Sequence, residues 1–354
     1  VILPRAARGG YFAAHASALA ARYDRRVVHL VTGASGFVGY HVASVLCAHG
    51  EQVRVLLRAT SRRDHLASLP VEIVEGDLRD PRSLASALRG ATHLYHVAAA
   101  YTFGSRDPAH IYADNVEGTR NILRAAGEAG VKRVVYTSTV GALATSSRDT
   151  ISNEDTPVSQ RDMISHYKRS KFMAQQVAEE FARSGLDVVI VNPSAPVGPV
   201  DAKPTPTGKL IVDFLRGKVP AYVDTGLNLI AVEDVAEGHR LAALKGRKGE
   251  KYILGNENMH LREILALLAR VSGRPRPRVR IPHAVAYAAA ACSEVKASLT
   301  RSEPEIPMES VRLARHFMYF DASKAVRELG LPQSPVEDAL ARAVAWYRAH
   351  GYAP

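Results

Sequence analysis

The decapeptide LVTGASGFVG at 30–39 and four later side chains, Asn115, Thr139, Tyr167 and Lys171, have the types and spacing to do chemistry. Gly33, Gly36 and Gly39 lie three apart, after an apolar stretch at 27–31 and before a helix-like one at 37–49. Such a loop lets the backbone approach a pyrophosphate and aims the first helical amides at it. Ser35, Phe37 and Val38 join the glycines as candidate contacts. Tyr167 and Lys171 are four apart, so on a helix they share a face. A nearby cation favours phenolate and lowers a tyrosine pKa that is ordinarily about 10. That tyrosine could move a proton while a hydride passes between a nicotinamide and a carbonyl or alcohol. The hydroxyl of Thr139, just past a strand, could hold the substrate oxygen beside the phenol. Each feature alone is ordinary: glycine serves many tight turns, and a Tyr–Lys pair at this spacing is usually amphipathic surface. Their combination, with Tyr167 and Lys171 between the fifth and sixth strands, selects the dinucleotide reading.

The second strand decides between the two nicotinamides. An acid at its end binds the free ribose diol; here Leu57 is followed by Arg58, with Arg62 and Arg63 close behind. A guanidinium can hold a 2′-phosphate that a carboxylate would repel, so NADP(H) is expected over NAD(H). Asp77, followed by Leu78, is placed to meet the adenine amino group or to cap the next helix. Ala98 and Ala99, ending the fourth strand, leave room for cofactor contacts, and Pro193 follows the sixth.

The elements that must position these groups alternate along the chain. Strands are expected at 27–32, 53–57, 71–74, 93–97, 133–137 and 188–191, with helices at 37–49, 81–88, 111–129 and 165–184. The expected fold class is α/β, a Rossmann doubly wound parallel sheet with ligands at the strands' C-terminal ends, and a smaller C-terminal substrate lobe. The division is 1–26 as an extension outside the fold, 27–192 as the NADP-binding domain and 193–354 as mainly the substrate lobe, with 229–245 returning to the larger domain. Residues 229–235 are expected to rejoin the sheet.

Composition excludes several classes. A chain of 354 residues, 47% hydrophobic and 23% charged, is an ordinary globular protein. Cys47 and Cys292 offer neither a disulfide framework nor metal spacing, so no metal is expected, a reducing cytoplasm is, and both thiols read as small buried residues. The formal charge of +11 is spread between the Arg-rich segment 1–26, which superficially suits a transit peptide, and a Pro-interleaved loop carrying Arg274, Arg276, Arg278 and Arg280. No aromatic interleaving accompanies them, so nucleic acid is not an expected partner. A solvated basic face is the plain reading; an anionic substrate or membrane surface is the sharper one. No run reaches the roughly 18 apolar residues of a membrane span.

The chain resembles the extended short-chain dehydrogenase/reductases from about Val27 to Tyr347. The resemblance is carried by TGASGFVG, GDL at 76–78, HVAA at 96–99, NVEGT at 115–119, YTST at 136–139, YKRSK at 167–171 and NPSAPVGP at 192–199. It implies that Thr139 or its neighbour Ser138 supplies the hydroxyl, and that Tyr167 is the acid/base. Lys171 would orient the ribose and tune Tyr167, and Asn115 would support the site from its helix. Longer stretches around 192–245 and 251–269 resemble the hopanoid-associated sugar epimerases, and dihydroflavonol-reductase-like enzymes share the Arg58 strand end. The resemblance thus implies a small-molecule, sugar-type substrate in a hopanoid-linked pathway, transient membrane contact through 284–299, and homodimerisation through the helices carrying Asn115 and Tyr167.

Three functions compete. An NADP(H)-dependent carbonyl reductase is favoured by Arg58, and an epimerase by the resemblance. A non-catalytic NADP-sensing regulator would be expected to lack the Tyr or Lys, and both are present. A 4,6-dehydratase is disfavoured, because Val140 and Gly141 after Thr139 supply no acid. Tyr101, Phe103, His166, Asn192, Ser194 and Tyr222 are candidate substrate contacts, with Asn192 the strongest. Lys209, Arg216 and the Arg274–Arg280 cluster are candidates for a substrate pyrophosphate.

Overall fold

The computed structural model describes residues 27–100, 109–143, 150–163, 165–300, 302, 304 and 306–354. The expected contacts Tyr101 and Phe103, and the extension 1–26, lie outside them.

Seven parallel strands form the main sheet: β1 (Val28–Thr32), β2 (Gln52–Leu57), β3 (Val71–Glu75), β4 (His93–His96), β5 (Arg133–Thr137), β6 (Val188–Pro193) and, far along the chain, β10 (Lys251–Leu254). Their order is β3-β2-β1-β4-β5-β6-β10, so the chain leaves the centre in both directions from β1 and β4. This is the expected Rossmann α/β fold. Successive side chains of a strand point to opposite faces, so a sheet covered on both sides needs continuous apolar runs. Val31, Val135, Val189 and Val191 accordingly enter one core, while Leu30, Val134, Tyr136, Val188 and Ile190 enter the other.

Helices Phe37–Ala48 and Val232–Lys245 cover the first face; Pro81–Leu88, Gly118–Glu128 and His166–Arg183 cover the second. The helix expected at 111–129 runs as Ala109–Tyr112, a π turn Ala113–Glu117, and Gly118–Glu128. Gly118 lets it approach the loop after β3: a Cβ there would sit 3.1 Å from Leu78 Cβ.

The smaller lobe is built on β7 (Ala195–Val197), β9 (Gly226–Ala231) and β11 (Glu257–His260), ordered β11-β9-β7. Helices Pro206–Leu215, Leu261–Ser272 and Val336–Ala349 pack on them. The expectation that 229–235 rejoins the main sheet is corrected. Strand β9 pairs with β7 and β11, and only its Ile230 points into the main-domain core, while Leu229 and Ala231 fill the lobe core. The following helix packs on the main sheet, and β10 is the strand that pairs with β6. Cys47 is half-buried, but Cys292 is exposed on helix His283–Thr300, against the expectation that both are buried.

Candidate active site

Two contiguous clefts open at the C-terminal ends of the sheet strands and share Phe37, Val38, Val97, Ala99 and Thr205. The first is built by the glycine loop. Gly33 holds φ at +76°, and a Cβ there would lie 2.6 Å from the Ala98 amide nitrogen. A Cβ on Gly39 would overlap the carbonyl oxygen of Gly33. Gly36 precedes the helix with no side-chain cap, so the first-turn amides remain open to an anion. This uncapped, glycine-lined cradle fits a dinucleotide pyrophosphate. Gly33, Ser35, Gly36, Phe37, Val38 and Gly39 all line it, as do Arg58, Asp77, Leu78, Ala98 and Ala99.

Arg58 reaches this cleft with a largely exposed side chain, 3.9 Å from Asp114 Oδ2. Its backbone amide donates to Ser61 Oγ at 3.2 Å, and that hydroxyl also lines the cleft. Asp77 receives bonds from the Arg79 amide (2.8 Å) and guanidinium (3.2 and 3.1 Å). The Arg79 guanidinium beside it holds its carboxyl below the usual range. The helix cap is Asp80, which accepts from the Arg82 amide.

Beneath the cradle lies a buried polar relay. Thr32 Oγ1 is 2.8 Å from His96 Nδ1, and His96 Nε2 is 3.1 Å from Thr119 Oγ1. The Thr119 hydroxyl donates to Asn115 O at 2.6 Å. Burial, then the charge of Lys171, pushes the His96 pKa down to about 3, so it is a neutral strut.

The second cleft is lined by Ser138, Thr139, Tyr167, Lys171, Pro193 and Ser194. Ser165 caps the helix that delivers Tyr167 and Lys171, its Oγ accepting from the Lys168 amide at 3.1 Å. Lys171 Nζ donates to Thr137 O at 2.7 Å and reaches Tyr136 Oη at 3.4 Å. Burial lowers the Lys171 pKa to about 7 and raises that of Tyr167. Asn115, from the π turn, accepts from the Ala100 amide at 2.7 Å and donates to Ala100 O at 3.0 Å and Ser170 Oγ at 2.9 Å. It thereby ties the end of β4 to the Tyr167 helix.

The two candidate hydroxyls separate here. Ser138 donates to Gln175 Oε1 at 2.7 Å, whereas Thr139 Oγ1 accepts from the Gly141 amide at 3.1 Å and keeps its own proton available. Asn192, expected to touch substrate, is fully buried and does not line the cleft among the described residues. Its amide donates to Thr139 O at 3.0 Å and Gln175 Oε1 at 2.9 Å, so it braces the Thr139 backbone instead. Ser194 Oγ is buried with no hydrogen-bond partner among the described residues, and it does line the cleft.

Several expected contacts lie elsewhere. Arg62 faces solvent near Asp64 at 3.8 Å. His166 Nδ1 is 3.1 Å from Tyr112 Oη, and Tyr222 sits in a two-stranded ribbon with residues 279–280. Lys209 pairs with Asp213, Arg216 with the Tyr352 carbonyl, and Arg280 with Asp224. None of these lines either cleft among the described residues. Conversely, Ser61, Asp114, Lys168, Thr205, Leu313 and Met318 line the clefts without having been read from sequence. Asp114 and Lys168 adjoin recognised motif residues, a usable signal; the lobe residues carry no such signal.

Comparison with known proteins gives the family and supports the fold. The model of the NAD dependent epimerase/dehydratase family matches residues 29–255. The chain is 48% identical over 327 residues to a putative dihydroflavonol 4-reductase of Synechocystis sp., covering 91% of this chain and 95% of that one. It is 38% identical to sterol demethylase protein B of Methylococcus capsulatus, covering 91% and 98%. The crystal structure of gox2253 superposes with a TM-score of 0.83 at 44% identity, covering 93% of this chain and all of that one. Glycine cradle, Tyr-x-x-x-Lys helix and family match converge: the chain belongs to the NAD dependent epimerase/dehydratase family, the extended short-chain dehydrogenase/reductases, enzymes that work with a nicotinamide cofactor.

Proposed function

We propose that the protein is an NADP(H)-dependent carbonyl reductase, running in reverse as a secondary-alcohol dehydrogenase, on a substrate with a largely apolar body. The observation that carries this is the wall of the second cleft, where Phe37, Val97, Val140, Leu227, Leu313 and Met318 face the space. Many of its polar lining groups are engaged with the protein: Ser138 with Gln175, Thr137 with His239, and Asn228 with Asn258. A sugar nucleotide dehydrated in such a cleft would leave hydroxyls unpaired, at about 1–3 kcal/mol each. A ketone asks for one or two donors. The relative at 48% identity, named as a putative reductase, is consistent with this reading.

Arg58 and Ser61, at the turn after β2, supply a cation and a hydroxyl where a 2′-phosphate would sit, which supports NADP(H) over NAD(H). When bound, the nicotinamide supplies the hydride. Thr139 donates a hydrogen bond to the substrate oxygen and holds it near Tyr167. Tyr167, whose pKa burial raises, is protonated at neutral pH and serves as the acid that reduction requires. Lys171, one turn further along the helix, fastens it to the end of β5 through the Thr137 carbonyl, and Asn115 ties it to the loop after β4.

An epimerase acting on a sugar-type substrate in a hopanoid-linked pathway is the second reading, supported by the family description. The two separate on cofactor bookkeeping. The reductase consumes one NADPH per alcohol formed from apolar cyclic or aromatic ketones and binds NADPH reversibly. Tightly retained cofactor, with inversion at a sugar carbon and no net NADPH consumption, would overturn the proposal.

A further inference from the structure

We propose that Lys168 recognises a carboxylate on the substrate, so that the substrate is an apolar acid. This rests on the reductase reading above and adds the substrate's class.

Two lysines on one helix face the second cleft, and their circumstances differ. Lys171 is satisfied by the Thr137 carbonyl at 2.7 Å. Lys168, only 6% exposed, also lines the cleft. Among the described residues, the hydrogen-bond partner of its ammonium is the Met318 thioether at 3.9 Å. A thioether is a weak acceptor, and a buried ammonium without a strong one is costly. Glu309 favours its charge from helix Met308–Leu313, yet burial still prevails and lowers its pKa to about 8. His316 also feels this lysine, and its own pKa is lowered by burial, then by Lys168. The ammonium therefore lacks a strong hydrogen-bond acceptor among the described residues, and the Glu309 carboxylate, whose Oε1 is itself buried without a hydrogen-bond partner, acts on it through charge alone.

Position and charge define what would satisfy it. A point one bond from Gly141 Cα lies 3.6 Å from Lys168 Cε and 3.5 Å from Thr139 Oγ1. A group bound by Lys168 and an oxygen bound by Thr139 can thus belong to one small molecule, for which a 3-hydroxy acid serves as the probe. One monovalent cation neutralises one carboxylate. The second charge of a phosphate monoester would stay unpaired against Leu313 and Met318, which argues for the carboxylate.

The test uses the full chain with NADP⁺, and 3-hydroxydodecanoate against its methyl ester. The acid is expected to exceed the ester in kcat/KM by at least about 20-fold, the scale of a hydrogen bond to a charged group. In Lys168→Met that preference is expected to fall below about threefold. Binding of dodecanoate, methyl dodecanoate and dodecyl phosphate to the NADP⁺-loaded protein is measured alongside, with Lys168→Gln as a second variant should the first fail to fold. Equal use and binding of acid and ester by the wild type, or a preference that survives both substitutions, overturns the inference. Tighter, Lys168-dependent binding of dodecyl phosphate overturns the choice of carboxylate. If no compound is oxidised but dodecanoate binding depends on Lys168, the inference stands and the reductase reading falls. If neutral alcohols are oxidised and the acid gains nothing, this inference alone falls.

Discussion

The ammonium of Lys171 donates to the carbonyl oxygen of Thr137 at 2.7 Å, with the Tyr136 ring 5.0 Å below it. The lysine therefore fastens the Tyr167 helix to the strand end that delivers Thr139. It does so from a fully enclosed position, where burial lowers its pKa from 10.5 to about 7. The sign follows from linkage. As pH falls from about 10 towards 7, the unfolded chain takes up a proton at this lysine and the folded cofactor-free protein does not, so the fold loses stability over that window. Below about pH 7 both states are protonated and the loss is complete. Lys171→Met removes this dependence. Its Tm relative to wild type is expected to be more favourable at pH 7 than at pH 9.5; a difference independent of pH would contradict the buried, neutralised lysine.

Removing the Tyr167 hydroxyl removes the proposed proton donor. Tyr167→Phe is expected to lower kcat by about 10²–10⁴-fold, the usual worth of a positioned acid. NADPH affinity should stay within about threefold, since the pyrophosphate cradle is built by Gly33 to Gly39 on the opposite side of the sheet centre. Steady-state turnover with fluorescence titration of NADPH separates the two; wild-type turnover would refute the assignment.

Arg58 discriminates between cofactors only if a 2′-phosphate sits beside it. Arg58→Ala is expected to weaken NADPH by about 10-fold or more, a hydrogen-bonded charge pair being worth about 1.5–3 kcal/mol, and to change NADH by less than about threefold. Asp114, 3.9 Å from Arg58, repels that phosphate, so Asp114→Asn should tighten NADPH modestly. Equal losses for both cofactors in Arg58→Ala would count against the NADP(H) proposal.

How far the sequence foretold this site depends on what each signal encodes. The glycine loop was legible because steric exclusion is local: only glycine fits where a Cβ would strike Gly33 O or the Ala98 amide. Six strands of the main sheet were legible from continuous apolar runs. The seventh, Lys251–Leu254, was not, because nothing in four residues says that they return across the lobe to pair with β6. Asn192 shows a different limit. Its type suits substrate contact, but its side chain is spent on Thr139 O and Gln175, and residue type does not reveal direction. The π turn that carries Asn115 was invisible because one extra residue per turn barely alters an apolar period. Leu313 and Met318 reach the cleft from well over a hundred residues beyond Tyr167, where no spacing rule applies.

The smaller lobe exposes several large apolar side chains on one helix and basic side chains on the loop before it. Helix His283–Thr300 exposes Val285 (51%), Val295 (61%) and Leu299 (81%), and the preceding loop exposes Arg276 and Arg278. Among the described residues no helix is long and apolar enough to cross a bilayer, so any contact would be peripheral: apolar side chains entering the headgroup region, with basic residues adding about 1 kcal/mol each at low salt. We propose transient contact of this kind. The protein should co-sediment with vesicles containing anionic lipid at low ionic strength, and release as salt shortens the Debye length from about 30 Å at 0.01 M to about 8 Å at 0.15 M. Leu299→Asp and Arg276→Glu should each weaken sedimentation without altering NADPH binding, since neither residue lines the clefts among the described residues. Equal recovery with neutral and anionic vesicles would remove the electrostatic part of the argument, and no recovery with either would remove the surface itself as a membrane contact.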